Sequence, residues 1–319
     1  MIGKVLVTGA SGFVGEALVF RLLLDRKWIP IAALRSSSRL QGLCPIAYFD
    51  LTKIDALPPM NEVSVVVHAA ARVHVMKETS EDALQEFRKI NVQGTLRLAK
   101  HAAASGVKRF VFVSSIKVNG EKTDRDKPFT ADDVPVPADP YALSKFEAEE
   151  QLRFLSQETG MEVVIIRPPL VYGPGVKANF LNMLRWIHRG LPLPLGSIDN
   201  RRSLVSIGNL VDLLVTCIDH PAAAGNTFLV SDGEDVSTSE LLRSLASAFG
   251  KKVVLIPVPF TVLSLAAFIL RKQAISRRLG ESLQVDINKN RKLLDWVPRI
   301  PAERSMRQTA RHYMEKNTK

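Results

Sequence analysis

Thr8-Gly9-Ala10-Ser11-Gly12-Phe13-Val14-Gly15 is the stretch on which the fold turns. The apolar run Lys4–Thr8 (KVLVT) leads into it, and residues 12–25 follow with apolar side chains at helical spacing. Glycines let the backbone turn tightly and bring its N–H groups up to a pyrophosphate at a helix N-terminus. The spacing is Gly-x-x-Gly-x-x-Gly rather than Gly-x-Gly-x-x-Gly. A glycine loop alone says little. Between a strand and a helix it points to a dinucleotide site lined by Gly9, Ser11, Gly12, Phe13, Val14 and Gly15.

Outward from this loop the chain alternates apolar runs with amphipathic stretches. Ile29–Leu34 (IPIAAL) and residues 46–49 are expected as strands two and three. Val63–His68 (VSVVVH) is continuous and β-branched, as in a strand buried on both faces. A helix is expected over 80–105, a strand at Arg109–Val113, a helix over 141–159 and a strand at 163–167. This order predicts an α/β chain, a Rossmann-type doubly wound parallel sheet, with a smaller C-terminal substrate domain. We place the dinucleotide-binding domain at 1–168 and the substrate domain mainly at 169–319, with later strands near 204–232 returning to the first. Ser237-Thr238-Ser239-Glu240 is a capping box opening a helix to about residue 249.

Composition narrows the class. The chain has 319 residues, 46% hydrophobic and 24% charged, enough for a substantial core. Its first residues run straight into a strand, so no signal peptide is expected, and two cysteines make no disulfide framework. A cytoplasmic protein is expected. No Cys/His cluster has metal-ligand spacing, and the six histidines, His68 among them, read as structural or surface residues. The net charge of +11 is uneven: residues 251–319 carry 15 basic and 5 acidic side chains. That suggests anionic partners, but no basic motif interleaved with aromatics argues for nucleic acid. Residues 253–270 carry no charge, between Lys251-Lys252 and Arg271-Lys272. Prolines break the run early, so it reads as strand, turn and buried helix. Contact of that helix with a membrane surface is the second reading.

Three residues carry the chemistry. Tyr141 and Lys145, in Tyr141-Ala142-Leu143-Ser144-Lys145, share a helix face at i and i+4, and Ser115 lies upstream. An ammonium beside a phenol favours phenolate and lowers the tyrosine pKa, giving a proton donor and acceptor for an alcohol carbon. At the end of the second strand, where an NAD site usually has an acid, stand Arg35 and Ser36-Ser37-Ser38. A guanidinium suits a 2′-phosphate, so NADP(H) is expected over NAD(H). Asp50 and Leu51 are candidates for the adenine, and Ala69, Ala70 and Ala71 supply small side chains beneath the cofactor.

In this order the motifs TGASGFVG, Asp50-Leu51, HAAA (68–71), NVQGT with Asn91, SSIKVNG (114–120), YALSK and RPPLVYGPG (167–175) resemble the extended short-chain dehydrogenases/reductases, the NAD-dependent epimerase/dehydratase family. The likeness covers nearly the whole chain. It implies that Ser115 and Tyr141 hold the reacting oxygen, Lys145 holds the nicotinamide ribose, Asn91 supports the site and Pro168 lines the nicotinamide pocket. It further implies a UDP-sugar substrate contacted by Asn179, Arg202 and Arg278 or its neighbour Arg277, and a homodimer built on the helices over 80–105 and 141–159. Lys117, where the chain departs from the family pattern, is a further candidate to contact a substrate oxygen. The closing KLLDWVPRIP (292–301) also resembles the family. Family dehydratases carry Thr-Asp-Glu where this chain has Ser115-Ile116-Lys117, which removes the acid and base for dehydration. The whole-chain likeness to bacterial O-antigen enzymes, with Arg35, leads us to expect a 4-ketoreductase of UDP-4-keto-6-deoxy-N-acetylhexosamine. The products would be UDP-N-acetylquinovosamine or UDP-N-acetylfucosamine. A UDP-sugar 4-epimerase is the alternative, and a non-catalytic binding protein the remote one.

Overall fold

A computed structural model describes residues 2–53, 56–73, 83–270 and 279–317. β1 (Lys4–Thr8) lies near the middle of a seven-stranded sheet with β2 (Ile29–Leu34), β3 (Ile46–Tyr48), β4 (Val63–His68), β5 (Arg109–Val113), β6 (Glu162–Arg167) and β9 (Thr227–Leu229). The order β3-β2-β1-β4-β5-β6-β9 is parallel throughout and reverses direction between β1 and β4. This is the expected doubly wound sheet, and the crevice at such a reversal is where ligands of these folds bind. β1, β4, β5 and β6 bury nearly every residue, which explains their continuous Val, Ile and Phe content.

Helices α1 (Phe13–Asp25) and α6 (Ile207–Asp219) cover one face with Leu18, Leu22, Leu210 and Leu214. α3 (Thr95–Ala104) and α4 (Pro140–Thr159) cover the other with Leu98, Ala102, Leu152 and Leu155. The helix expected over 80–105 is not one regular element. Within the described residues, α2 (Ala83–Phe87) passes into a π-helical stretch, Arg88–Gly94, before α3 begins. Residues 74–82 lie outside the description.

A second core gathers Tyr172, Phe180, Leu184, Leu241, Leu245 and Met306. They come from β7 (Leu170–Tyr172), α5 (Ala178–His188), α7 (Thr238–Ala248) and a C-terminal helix (Ala302–Asn317). The expected capping box at Ser237 and Glu240 opens α7. One boundary needs correction. Of the strands near 204–232, only β9 joins the large sheet. β8 (Arg202–Ser206) sits between β7 and β10 (Asp235–Val236) in a separate three-stranded sheet. The closing segment returns to the first body: buried Trp296 donates its indole N–H to Asp212 of α6, at 2.9 Å.

The uncharged stretch 253–270 also departs from expectation. Leu255 bridges to Leu193, and α8 (Phe260–Ile269) follows. None of its residues is fully buried, so it is a surface helix and not a core helix. Among the described residues no helix is long and apolar enough to cross a membrane.

Candidate active site

The glycine loop is shaped by close approach. Gly9 has φ +66°, and a Cβ there would meet the backbone of Ala69 and Ala70 at 2.8–2.9 Å. A Cβ on Gly15 would meet the Gly9 carbonyl oxygen at 2.3 Å. The loops after β1 and β4 therefore press together, and Ala69 N–H donates to the Thr8 carbonyl at 3.3 Å. Gly12 caps α1 with no side-chain hydrogen bond, so the first-turn N–H groups carry no internal cap. Uncapped N–H groups on a glycine loop fit a pyrophosphate. Beneath the loop, His68 lies between Thr8 (Nδ1 to Oγ1, 2.6 Å) and Thr95 (Nε2 to Oγ1, 3.0 Å). Burial lowers its pKa to about 3, so it is a neutral structural link, as expected of the histidines.

Arg35 follows β2 on the surface, near Asp50. The Asp50 carboxylate accepts from Thr52 N–H at 2.9 Å and from its hydroxyl at 2.8 Å, which holds its pKa below the usual range. Leu51 is buried against Gly94, where a Cβ would meet it at 3.1 Å.

α4 presents two of the candidate reacting groups, Tyr141 and Lys145. Asp139 caps it by accepting from Ala142 N–H at 2.7 Å, and Pro140 opens its first turn. Tyr141 in that turn has Ser115, which follows β5, close enough to lower its pKa, and its ring meets Phe87 edge-on at 5.9 Å. One turn on, buried Lys145 donates to the Val113 carbonyl at 2.7 Å, its Nζ 3.9 Å from the Phe112 ring centroid. Ser115 after β5 and Tyr141 and Lys145 on α4 thus lie on neighbouring elements, with Lys145 engaged by the Val113 carbonyl. The resting protonation of Tyr141 and Lys145 differs from expectation. Burial, reinforced by Asp139 and opposed by Ser115, pushes the Tyr141 phenol up to about 12. Burial lowers Lys145 to about 7, with Glu149 opposing. Desolvation dominates at both groups, and Lys145 is not among the neighbours that shift the phenol.

Supporting residues complete the face. Asn91, in the π-helical stretch, donates to Ser144 Oγ at 3.0 Å and exchanges hydrogen bonds with the backbone of Arg72. Ser144 in turn donates to the Tyr141 carbonyl at 2.8 Å. Glu149, one turn beyond Lys145, is buried against Arg167, with Nε to Oε1 at 3.0 Å. Arg167 also donates to Asn119 Oδ1 at 2.9 Å. Sequence reading missed this buried pair. The i, i+4, i+8 series Tyr141, Lys145, Glu149 signals only that Glu149 shares their helix face, not its partner. Lys117 pairs with Asp139, and with Glu121 at 3.5 Å, at the mouth of this face. Pro168 accepts from Ile116 N–H at 3.0 Å through its carbonyl, locking the Ser115 turn to β6. Asn179 is exposed at the start of α5. Arg202 on β8 donates to the Glu281 carbonyl at 3.2 Å. Arg277 and Arg278 lie outside the described residues.

Residues 5–231 match the NAD dependent epimerase/dehydratase family. The chain belongs to that family. It is 48% identical over 322 residues to a UDP-glucose 4-epimerase of Vibrio cholerae, covering 99% of this chain and 97% of that one. Two solved structures share the fold. A short-chain dehydrogenase/reductase superfamily protein from Agrobacterium tumefaciens with bound NAD has a TM-score of 0.77 at 24% identity, covering 99% and 98% of the two chains. A UDP-glucose 4-epimerase from Thermotoga maritima with UDP-glucose has 0.77 at 21%, covering 99% and 100%. The chain is an enzyme of the epimerase/dehydratase family. The full-length Vibrio relative overturns the expected 4-ketoreductase: epimerisation is the better reading. The expectation rested on a likeness to O-antigen enzymes, which the 48% relative does not bear out, and on Arg35. Arg35 bears on which dinucleotide binds, not on whether that dinucleotide is consumed.

Proposed function

We propose that this chain is a UDP-hexose 4-epimerase that keeps its nicotinamide dinucleotide through turnover. The observation that carries the reading is 48% identity to a UDP-glucose 4-epimerase across essentially both full lengths. Gly9 and Gly15, whose missing side chains admit the neighbouring backbone, with the uncapped first turn of α1, would hold the pyrophosphate. The dinucleotide supplies reversible hydride acceptance at the sugar's C4. Tyr141 takes the O4 proton as the carbinol becomes a carbonyl, and returns it as the opposite carbinol forms. Ser115 holds that oxygen against the phenol. The Lys145 ammonium stabilises phenolate while charged and keeps the proton donor oriented. Ile116 and Lys117 offer no carboxyl to eliminate water, so the chemistry stays at C4.

Asn179 and Arg202 are proposed to hold the diphosphate of the substrate. Lys117, engaged by Asp139, is proposed to fix the mouth of the site and to reach a substrate oxygen from there. Arg35 and Ser36-Ser37-Ser38 favour NADP(H) at the adenosine end. A homodimer through α3 and α4 belongs to the same reading, supported by Phe154 of α4, which is 61% exposed.

The test is incubation of purified protein with UDP-glucose or UDP-N-acetylglucosamine, with products read by NMR. The 4-epimer is expected without net change in reduced-nicotinamide absorbance. Stoichiometric oxidation of added NADPH, or no isomer from either sugar, would overturn the reading. Denaturation should release bound dinucleotide, and its mass decides between NADP and NAD.

A further inference from the structure

α8 inverts the usual placement of apolar side chains. Val262, Leu265, Phe268, Ile269 and Leu270 are between 53% and 71% exposed. The helix is nonetheless seated. Leu263 packs against the second core, and the Phe260 ring lies where a Cβ on Gly280 would meet it at 2.1 Å. The apolar surface continues into the strap before it, where Val254 and Ile256 are exposed. That strap is tied to the chain after α5 by Leu193 N–H to Val254 O at 2.9 Å and Ile256 N–H to Leu193 O at 2.8 Å. Lys251 Nζ donates to the His188 carbonyl at 2.6 Å. Trp186 and Leu191, also exposed, therefore lie beside the strap.

The two segments that carry this surface hold charge of one sign, while Glu281 follows Gly280 beneath Phe260. Residues 176–198 contain Lys177, Arg185 and Arg189 and no acid; residues 241–270 contain Arg243, Lys251 and Lys252 and no acid. A second copy of the chain, packed by two-fold symmetry on this face, would set these cations against themselves. An anionic lipid surface meets both features. Headgroup charge attracts the Lys and Arg rim, and the acyl boundary accepts exposed Leu, Phe and Ile, with Trp favoured at the interface.

We propose that α8 and the strap before it form a shallow hydrophobic wedge that docks this enzyme onto an anionic membrane surface. A ten-residue helix spans about 15 Å, so it lies in the interface and does not cross. The surface is separate from the Tyr141 site, and the inference stands whichever sugar that site accepts.

The test is co-sedimentation of the full chain with vesicles of phosphatidylglycerol and phosphatidylethanolamine, and with phosphatidylcholine vesicles alone. Sedimentation with the anionic vesicles only, weakened by salt, is expected. Leu265→Asp with Phe268→Asp should lower the bound fraction at least tenfold without lowering the melting temperature. Arg189→Glu with Lys252→Glu should weaken binding at least tenfold by charge alone. Wild-type protein left in the supernatant, or undiminished binding by both variants, overturns the proposal. A dimer in solution that the Leu265 and Phe268 changes dissociate also overturns it, because a second copy would then cover the face.

Discussion

α4 and α8 break the ordinary partition of side chains in opposite directions. α4 buries Lys145 and Glu149, while α8 exposes Leu265, Phe268 and Ile269. On α4 the anomaly is resolved inside the molecule. Arg167 neutralises Glu149, Asn119 satisfies Arg167, and the Val113 carbonyl receives Lys145. On α8 nothing among the described residues covers the apolar face. A charge buried with every partner supplied indicates a site built for chemistry. An apolar face left bare indicates that its partner lies outside the chain.

The largest effect that could break this contrast is on turnover. Tyr141→Phe should lower kcat by about 10²–10⁴-fold while bound dinucleotide is retained, read by isomer formation and by released cofactor per chain. Loss of the cofactor as well would make the phenol a structural group. Next in size is the buried pair. Arg167→Leu should lower stability by about 3–5 kcal/mol in urea unfolding, because it leaves the buried Glu149 carboxylate with only Arg153, at 3.7 Å. Adding Glu149→Gln should recover much of that loss; if it does not, the pair is not what resolves the burial of charge on α4.

His68 supplies a pH-dependent term under the same site. Its folded pKa of about 3 lies below the ordinary 6.5, so the unfolded chain binds the proton first. Its contribution is complete above pH 6.5 and is lost as pH falls toward about 3, on the order of a few kcal/mol. Replacement by Gln should flatten that part of the stability profile. A smaller effect is expected at Lys117, which shields Tyr141 from Asp139. Lys117→Met should move the pH dependence of kcat/KM upward by less than about one unit and leave the melting temperature nearly unchanged. The smallest belongs to α8. Leu265→Asp should change stability by no more than about 0.5 kcal/mol. A core-sized loss of about 2–5 kcal/mol would show that the face is packed after all.

The strands and the placing of Tyr141 and Lys145 on one helix were legible because their signals are local. Continuous β-branched runs mark buried parallel strands, and i, i+4 spacing puts Tyr141 and Lys145 on one face. Arg167 and Glu149 meet across the fold from different elements, and no local pattern joins them. Strands as short as β8 and β10 carry too little pattern to show which sheet they enter. The apolar run of α8 reads the same whether it faces a core, a partner or a bilayer. The tyrosine pKa was misjudged because spacing reveals the neighbour and not the desolvation.

The π-helical turn at Arg88–Gly94 has a consequence for chain length. Asn91 reaches Ser144, Gly94 admits Leu51 and Thr95 reaches His68, all from one continuous helical rod. Removing a single residue from that turn would let it relax to ordinary α-helix and rotate everything on one side by about 100°. Either Asn91 or the Gly94–Thr95 pair would then point away from its contact. The widened turn acts as a phase shifter between α4 and the parallel sheet. Insertions and deletions in this enzyme should therefore be tolerated in its surface loops and rejected there.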